Sequence, residues 1–562
     1  MAVTYGQCDY EQGRFRIALQ PHACMRFKAL FPSVPKGAAS PYWLCDKPDL
    51  ATDLDWFFQR YPVRLSASAR DRLAESVSRY HADRREAEAI LQRDFLPGSA
   101  TGFRTDRQPY GYQQRAAELA RLTGHLLLLD DVGLGKTVSA LAMIADGRYA
   151  PAIVVVPPHV SGQWIEEYIR VFTRLAAYEV TTTTPEPLPP ADIYVFRYSQ
   201  LAGWADHFRE IAPRAVIFDE IQDLRHGVDT AKGRGAAALA MCDSVELRVG
   251  LTATPVYNYG SEIFNIFEFI APGALGSHGE FLTEWCSNHG QHWVVREPDV
   301  LGEYLRDQML ALRRTEHDEE VGKALPPLNR LLIDVEWDAG DVEDQEALMR
   351  SLALKVLEGS FTERGQAARE LDMMMRLRTG VAKARAVAAY VRMLVQAGEP
   401  VLVAGGHRDV YDIWQRELAD LEPVFYTGSE SARQKSENKR AFIEGRAKVM
   451  FMSLRSGAGT DGLQDVCANI VIGELDWSPQ VHKQIIGRLR RAGQKRQVTA
   501  HFLHTAGGSD PVIMEILGLK ASQSQGILDP FQEASAQEAD DGRMRRLAQS
   551  LLADLPQPEA RT

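Results

Sequence analysis

The stretch AVIFDEIQDLRH (215–226) sets two carboxylates, Asp219 and Glu220, directly behind four apolar residues. Acids at a strand end are often only hydrated, but such a pair also suits holding a cation and polarising a water. That second use needs a phosphate, and one is accommodated upstream in DDVGLGKT (130–137). A glycine-rich turn between a strand and a helix lets backbone N–H groups close around phosphate oxygens, and the helix N-terminus adds partial positive charge. Gly133, Leu134 and Gly135 would form the cradle, Lys136 would reach the β/γ-phosphates, and the Thr137 hydroxyl would ligate Mg²⁺. Asp130 stands where the GxxxxGK[ST] pattern has its first glycine. Given that loop, Asp219 takes the metal shell with Thr137, and Glu220 orients the attacking water. Gln222 follows, an amide that communicates by hydrogen bonding without titrating near neutral pH. Positive charge opposite the γ-phosphate is offered by QIIGRLRRAGQKR (484–496), where Arg488 and Arg491, three apart, would share a face of a helix.

These residues need a scaffold that delivers them to one place. LLLLD (126–130), AIVVV (152–156), IYVF (193–196), AVIF (215–218) and LRVGLTAT (247–254) read as strands, separated by helical patterns such as TVSALAMIA and SGQWIEEYIRVF. Strands alternating with helices predict an α/β fold with a parallel sheet. A mainly helical region follows over roughly 258–395. A second alternating set then appears: PVLVAGG, PVFYTG, KVMFMS, NIVIGELD and VTAHFLH. TTTTPEPLPP (181–190) reads as a loop. The chain divides into an amino-terminal accessory block (1–103), a first lobe with a helical extension (104–325), a helical linker with a second lobe (326–525), and an acidic, polar tail (526–562).

Composition bounds the rest. A chain of 562 residues exceeds one hydrophobic core, and 45 % hydrophobic with 25 % charged residues is ordinary for a soluble protein. No run approaches the roughly 18 apolar residues of a membrane span, and MAVTYGQCDYEQGRFRI has no export pattern, so a cytoplasmic setting is expected, or a nuclear one in a eukaryote. Six cysteines without a CxxC pair suit free thiols, and the spacing of His22, Cys24 and Cys45 fits no standard zinc site. A net charge of −11 opposes bulk coating of nucleic acid but not a local basic groove, and residues 484–500 carry five basic residues and no acid.

Taken together, these segments resemble superfamily-two helicases, and most closely the SWI/SNF-type (Snf-two) family of double-stranded DNA translocases. The resemblance runs from about Gln108 to about Asp529, with the motifs in family order. Tyr112-Gln113 resembles the adenine-reading glutamine motif, and DDVGLGKT resembles DExGLGKT, which accounts for Asp130. VVVPPHVSGQWIEEY is similar to motif Ia with Trp164 and Glu167, and DEIQ to the DExx box, where histidine is commoner than Gln222. LTATPVYNYGSEIFNIFEFIAP resembles motif III and its extension, with Asn258 and Glu262 in place. LRRTEHDEEVGKALPP (312–327) is like the segment after the first lobe, although Glu316 replaces a usual lysine. FMSLRSGAGTDGLQ resembles motif V, whose Asp461 is assigned to the nucleotide, and QIIGRLRRAGQ fits motif VI, with Arg488 and Arg491 as arginine fingers.

The resemblance implies two RecA-like, doubly wound parallel-sheet lobes with helical insertions and a small amino-terminal accessory domain. It further implies an ATPase using ATP and Mg²⁺, working as a monomeric motor on duplex or branched DNA in repair, recombination or fork processing. DNA would lie across loops near Pro157–His159, Gly405–His407 and Ser453–Ser456, of which only the last carries a basic residue, Arg455. Two rival readings are a strand-separating DNA or RNA helicase and a nucleic-acid-binding scaffold whose ATPase has decayed. The amino-terminal block, with YWLCDKP and DLDWFFQRYP, is similar to the HARP-like module of annealing helicases. Without a bromo-, chromo- or SANT-like extension in this sequence, nucleosome remodelling is not expected, and a prokaryotic or phage setting is.

Overall fold

The computed structural model describes residues 4–517 and 540–554, except 32–33, 93, 159, 229, 244, 254–259, 290–291, 316–317, 319–320, 322–324, 339–345 and 455–461. The chain forms two compact units. One comprises Met1–Leu129, Thr137–Pro158 and Trp164–Arg313; the other comprises Asp130–Lys136, His159–Gln163 and Arg314–Thr562.

The first unit opens with a small mixed sheet of β1 (Gly6–Glu11), β2 (Arg14–Leu19), β3 (Tyr42–Cys45) and β4 (Arg64–Leu65), in the order β3-β2-β1-β4. Gln12 and Gly13, both at positive φ, close the β1–β2 hairpin, the conformation that matches strand twist in a two-residue turn. Alternate residues Phe15 and Ile17 point inward, where Phe27 and Phe57 join them from α1 (Pro21–Leu30) and α2 (Pro48–Arg60). The polar run after them forms α3 (Ala67–Ile90), whose Ser66 hydroxyl accepts from Ala69 N–H as an N-cap.

Beyond α4 (Gly111–Thr123) lies a seven-stranded sheet. It contains β5 (His125–Leu128), β6 (Ala152–Val156), β7 (Ala177–Glu179), β8 (Ile193–Arg197), β9 (Ala215–Asp219) and β10 (Leu247–Leu251). A hairpin of β11 (Cys286–His289) and β12 (His292–Val295) intervenes before the last member, β13 (Ala311–Leu312). The order is β13-β5-β10-β9-β6-β8-β7, and every pairing is parallel. AIVVV is buried at every position, as a parallel strand covered on both faces must be.

The second unit holds β14 (Leu328–Asp334), β15 (Val401–Gly405), β16 (Val424–Tyr426), β17 (Val449–Ser453), β18 (Asn469–Ile472) and β19 (Val498–His504). They form an all-parallel six-stranded sheet ordered β14-β19-β18-β15-β17-β16. Two separate cores, one on each face, are seeded by Leu402 and Ile472 and by Val403 and Val471. The expected two-lobed α/β architecture is therefore present.

Three expectations need correction. The region 258–395 is mainly helical as expected, but it also contains β11 to β14, which the sequence pattern did not show. LNRLLID forms an edge strand by splitting its apolar residues: Leu328 and Leu332 join one core and Ile333 the other. The helices Glu346–Glu358 and Phe361–Gln396 consequently lie inside the second lobe, between β14 and β15, rather than ahead of it. Part of the predicted tail is a helix, Asp540–Asp554, whose buried Leu547, Ala548 and Leu551 pack with Met349, Leu352 and Leu371. Finally, Arg488 and Arg491 are not helical. The helix Pro479–Ile486 stops before them, and fully buried Leu489 draws the chain into the core through successive turns. All six cysteines are free, and no described helix is long and apolar enough to cross a membrane.

Candidate active site

Three central strands of the first sheet end level. Register pairs Leu128 of β5 with Leu251 of β10, and Leu251 with Asp219 of β9. The strand feeding the glycine-rich loop thus ends two strand spacings, about 10 Å, from the one ending in the acids. Thr252, just past β10, is fully buried, and its N–H donates to Leu128 O at 3.1 Å. Carboxyl ends of parallel strands are where open α/β sheets bind ligands. A Cβ on Gly250 would lie 2.6 Å and 2.7 Å from the Cδ1 atoms of Ile270 and Ile221, so glycine there lets the turn after the acids pack down.

In the loop, Gly133 and Gly135 have φ of +90° and +72°, a region open to glycine at little cost. The helix α5 (Lys136–Ile144) starts on the lysine itself. Lys136 Nζ donates to the Asp130 carbonyl at 2.7 Å and to the Asp131 carbonyl at 3.4 Å. Asp130 is fully buried, and Arg314 grips it: Arg314 Nε donates to Oδ1 at 2.9 Å, the backbone N–H to the same oxygen at 3.1 Å, and Nη2 to Oδ2.

Asp219 is fixed by neutral donors. Trp164 Nε1 donates to Asp219 Oδ2 at 2.8 Å, and Tyr198 Oη donates to the Asp219 carbonyl at 2.9 Å. Trp164 opens a π-helical turn, Trp164–Ile169, an irregularity often found at functional positions. Burial pushes the Tyr198 hydroxyl well above its ordinary pKa, with the nearby Asp219 charge adding to it, so it stays a donor. Glu220 adopts a left-handed conformation, φ +54°, rare outside glycine and costing on the order of 1 kcal/mol. Its side chain accepts from Gln222 Nε2 at 2.5 Å, while the buried Gln222 Oε1 has no hydrogen-bond partner among the described residues.

In the second unit, the loops leaving β15 and β18 are joined by Glu474. Its Oε2 accepts from Gly406 N–H at 2.6 Å and His407 N–H at 3.0 Å, and its Oε1 meets His407 Nδ1 at 2.6 Å. Burial pushes Glu474 up, but the His407 contact and the two amides outweigh it and hold the carboxyl below its usual range. Asp476 pairs with Arg376 at 3.2 Å, and its N–H donates to His482 Nε2 at 3.0 Å. Trp477 Nε1 donates to Asp372 Oδ1 at 2.7 Å, so GELDWSP is wired to the helix Phe361–Gln396.

Residues 54–385, more than half of the chain, match the SNF2-related domain. The chain belongs to the SNF2-related family. The mouse protein named "DNA annealing helicase and endonuclease ZRANB3" is 25 % identical over 477 residues, covering 81 % of this chain and 43 % of that protein. A Xenopus laevis "SWI/SNF-related matrix-associated actin-dependent regulator of chromatin subfamily A-like protein 1" is 28 % identical over 410 residues, covering 70 % of this chain and 41 % of that one. This SNF2-related chain thus spans less than half the length of those relatives. The solved "Sulfolobus solfataricus SWI2/SNF2 ATPase core in complex with dsDNA" aligns at a TM-score of 0.37 and 19 % identity, over 77 % of this chain and 95 % of that one.

Several motif residues of the SNF2-related chain lie where they serve local structure. Gln113 Oε1 accepts from Tyr110 N–H at 2.9 Å, satisfying a backbone donor at the start of α4. Glu262 is buried beside Arg225 at 3.6 Å. Two amides of the Gly405–His407 loop, expected to meet DNA, are occupied by Glu474. Asp461, Arg455, Ser456, His159, Asn258 and Glu316 lie outside the described residues. Trp164 and Arg314 lie in motif segments whose local pattern assigns neither a task, and nothing around Tyr198 marks it. Their partners stand 55, 184 and 21 residues away, beyond the reach of any local pattern.

Proposed function

We propose that this SNF2-related chain is a DNA-dependent ATPase that couples hydrolysis to movement along duplex or branched DNA, in repair, recombination or replication-fork processing. The observation that carries the reading is the level ending of β5, β10 and β9, which gives a glycine-rich loop and a carboxylate pair exits from the same sheet end. Positive-φ Gly133 and Gly135 beside a helix that begins on Lys136 fit a triphosphate, and the oxygen donors Thr137 and Asp219 fit Mg²⁺. Mg²⁺ would neutralise developing charge on the phosphoryl oxygens. Lys136 exchanges its carbonyl acceptors for phosphate oxygens. Glu220, aimed by Gln222, accepts a hydrogen bond from the attacking water and draws on its proton. Asp219 keeps one orientation because Trp164 and Tyr198 hold both its carboxylate and its backbone. Arg488 and Arg491 would supply the positive charge that such transfers use, and Gln113 and Asp461 would contact the nucleotide.

DNA binding is proposed through phosphate contacts, which are sequence-tolerant and salt-dependent. The division into amino-terminal accessory block, two lobes and carboxyl-terminal segment is proposed as the working domain plan, with the first block sharing the grip on DNA. The test compares ATP hydrolysis by wild type and Lys136→Ala with single-stranded, duplex and forked DNA. Stimulation by duplex or forked DNA, abolished by the substitution, is expected. Hydrolysis indifferent to Lys136→Ala would defeat the motor reading, and robust strand displacement at substoichiometric protein would favour a strand-separating helicase.

A further inference from the structure

The segment joining the two parallel sheets begins beside the phosphate loop. Parallel pairing of β5 with β13 continues past both strands: Leu127 N–H donates to Leu310 O, Leu129 N–H to Leu312 O, and Asp131 N–H to Arg314 O, at 2.9, 2.8 and 2.9 Å. The next loop residue back, Asp130, receives the Arg314 side chain as a two-point fork. Arg314 therefore holds the entry of the loop twice, once by backbone and once by side chain. The Asp130 carbonyl in turn accepts from Lys136 Nζ at 2.7 Å.

Burying a carboxylate without a partner is costly, and the two-point guanidinium fork fixes its direction. The joining segment has an anchor of its own at the far end, where Pro326 O accepts from Arg490 Nε at 3.0 Å and Pro327 O from Val498 N–H at 2.9 Å.

We infer that Arg314 is a positioning residue for the nucleotide: through Asp130 it sets the shape of the phosphate loop and the place from which Lys136 reaches the phosphates. The effect belongs to nucleotide capture, so it appears in KM for ATP and not in kcat. This inference rests on the ATP-site reading above.

The experiment measures DNA-stimulated ATPase and thermal melting for Arg314→Lys, Asp130→Asn and the double variant, with Lys136→Ala alongside. Lysine keeps the charge and removes the fork. Each single change is expected to raise KM for ATP about tenfold with kcat within about twofold, and the double variant to be no worse than either single, because one interaction is lost in all three. Folded variants with unchanged KM would overturn the inference. So would KM and kcat falling together in step with the melting temperature, or failure of both single variants to fold, since each marks the clasp as purely structural. If Lys136→Ala retains hydrolysis, the ATP-site reading itself fails. If Lys136→Ala abolishes hydrolysis while Arg314→Lys behaves as wild type, only the role of Arg314 fails.

Discussion

Glu220 and Glu474 each follow a central strand of a parallel sheet, β9 in one unit and β18 in the other, yet they are held in opposite ways. Glu474 is buried and receives two amides and a histidine ring from the loop after β15. Glu220 is half-exposed, sits in a strained left-handed turn and receives one side-chain amide. A carboxylate saturated by its own fold is a staple. One held at an angle by a single donor among the described residues, with solvent access, retains capacity to act on a water. Position at a strand end does not assign a role; the donors around the acid do.

The largest expected effect separates the two glutamates. Glu220→Gln should lower DNA-stimulated kcat by more than about 10²-fold with little change in melting, as loss of a water-orienting group does. Glu474→Gln should instead cost about 2–3 kcal/mol in chemical denaturation, because an amide nitrogen would confront donors where a carboxylate accepted them. A Glu474→Gln protein as stable as wild type would erase the distinction. Next comes Trp164→Phe, which removes the donor to Asp219 and keeps the packing; kcat should fall about tenfold, with a raised Mg²⁺ requirement read from metal titrations.

Acid should reach the second unit through two buried histidines. Burial lowers His482 and His501 to about 4 in the folded chain, against 6.5 for a free histidine. Both are neutral above the free value, so their stability contribution is complete there; below it the unfolded chain takes up protons first. Each should cost about 1 kcal/mol by pH 5.5, with the loss growing toward pH 4, as denaturant melts across that range would register. The smallest effect is expected from Gln222→His. ATPase above pH 7 should stay within about threefold of wild type, and a new acid limb should appear as the imidazole titrates beside Glu220. Losses equal to those of Glu220→Gln would mean that the chemistry had been assigned to the wrong side chain.

Elements whose cause is local are legible in the chain's residue pattern. AVIF and AIVVV are short, continuous apolar runs that read as buried strands, and β9 and β6 occupy those places. GLGKT declared its positive-φ turn and helix start by composition, because glycine admits those backbone angles. Short or half-polar strands such as AYE (β7), AL (β13) and LNRLLID (β14) were illegible, since their pairing comes from neighbours rather than from their own pattern. The spacing of Arg488 and Arg491 predicted a helix, but burial of Leu489 overrode it.

How the acids are held depends instead on long-range packing. Trp164 on Asp219, Arg314 on Asp130 and His407 on Glu474 join residues 55, 184 and 67 positions apart. Residue type tells what such groups can donate or accept; which of them meet depends on strand order and register, properties of the sheet as a whole.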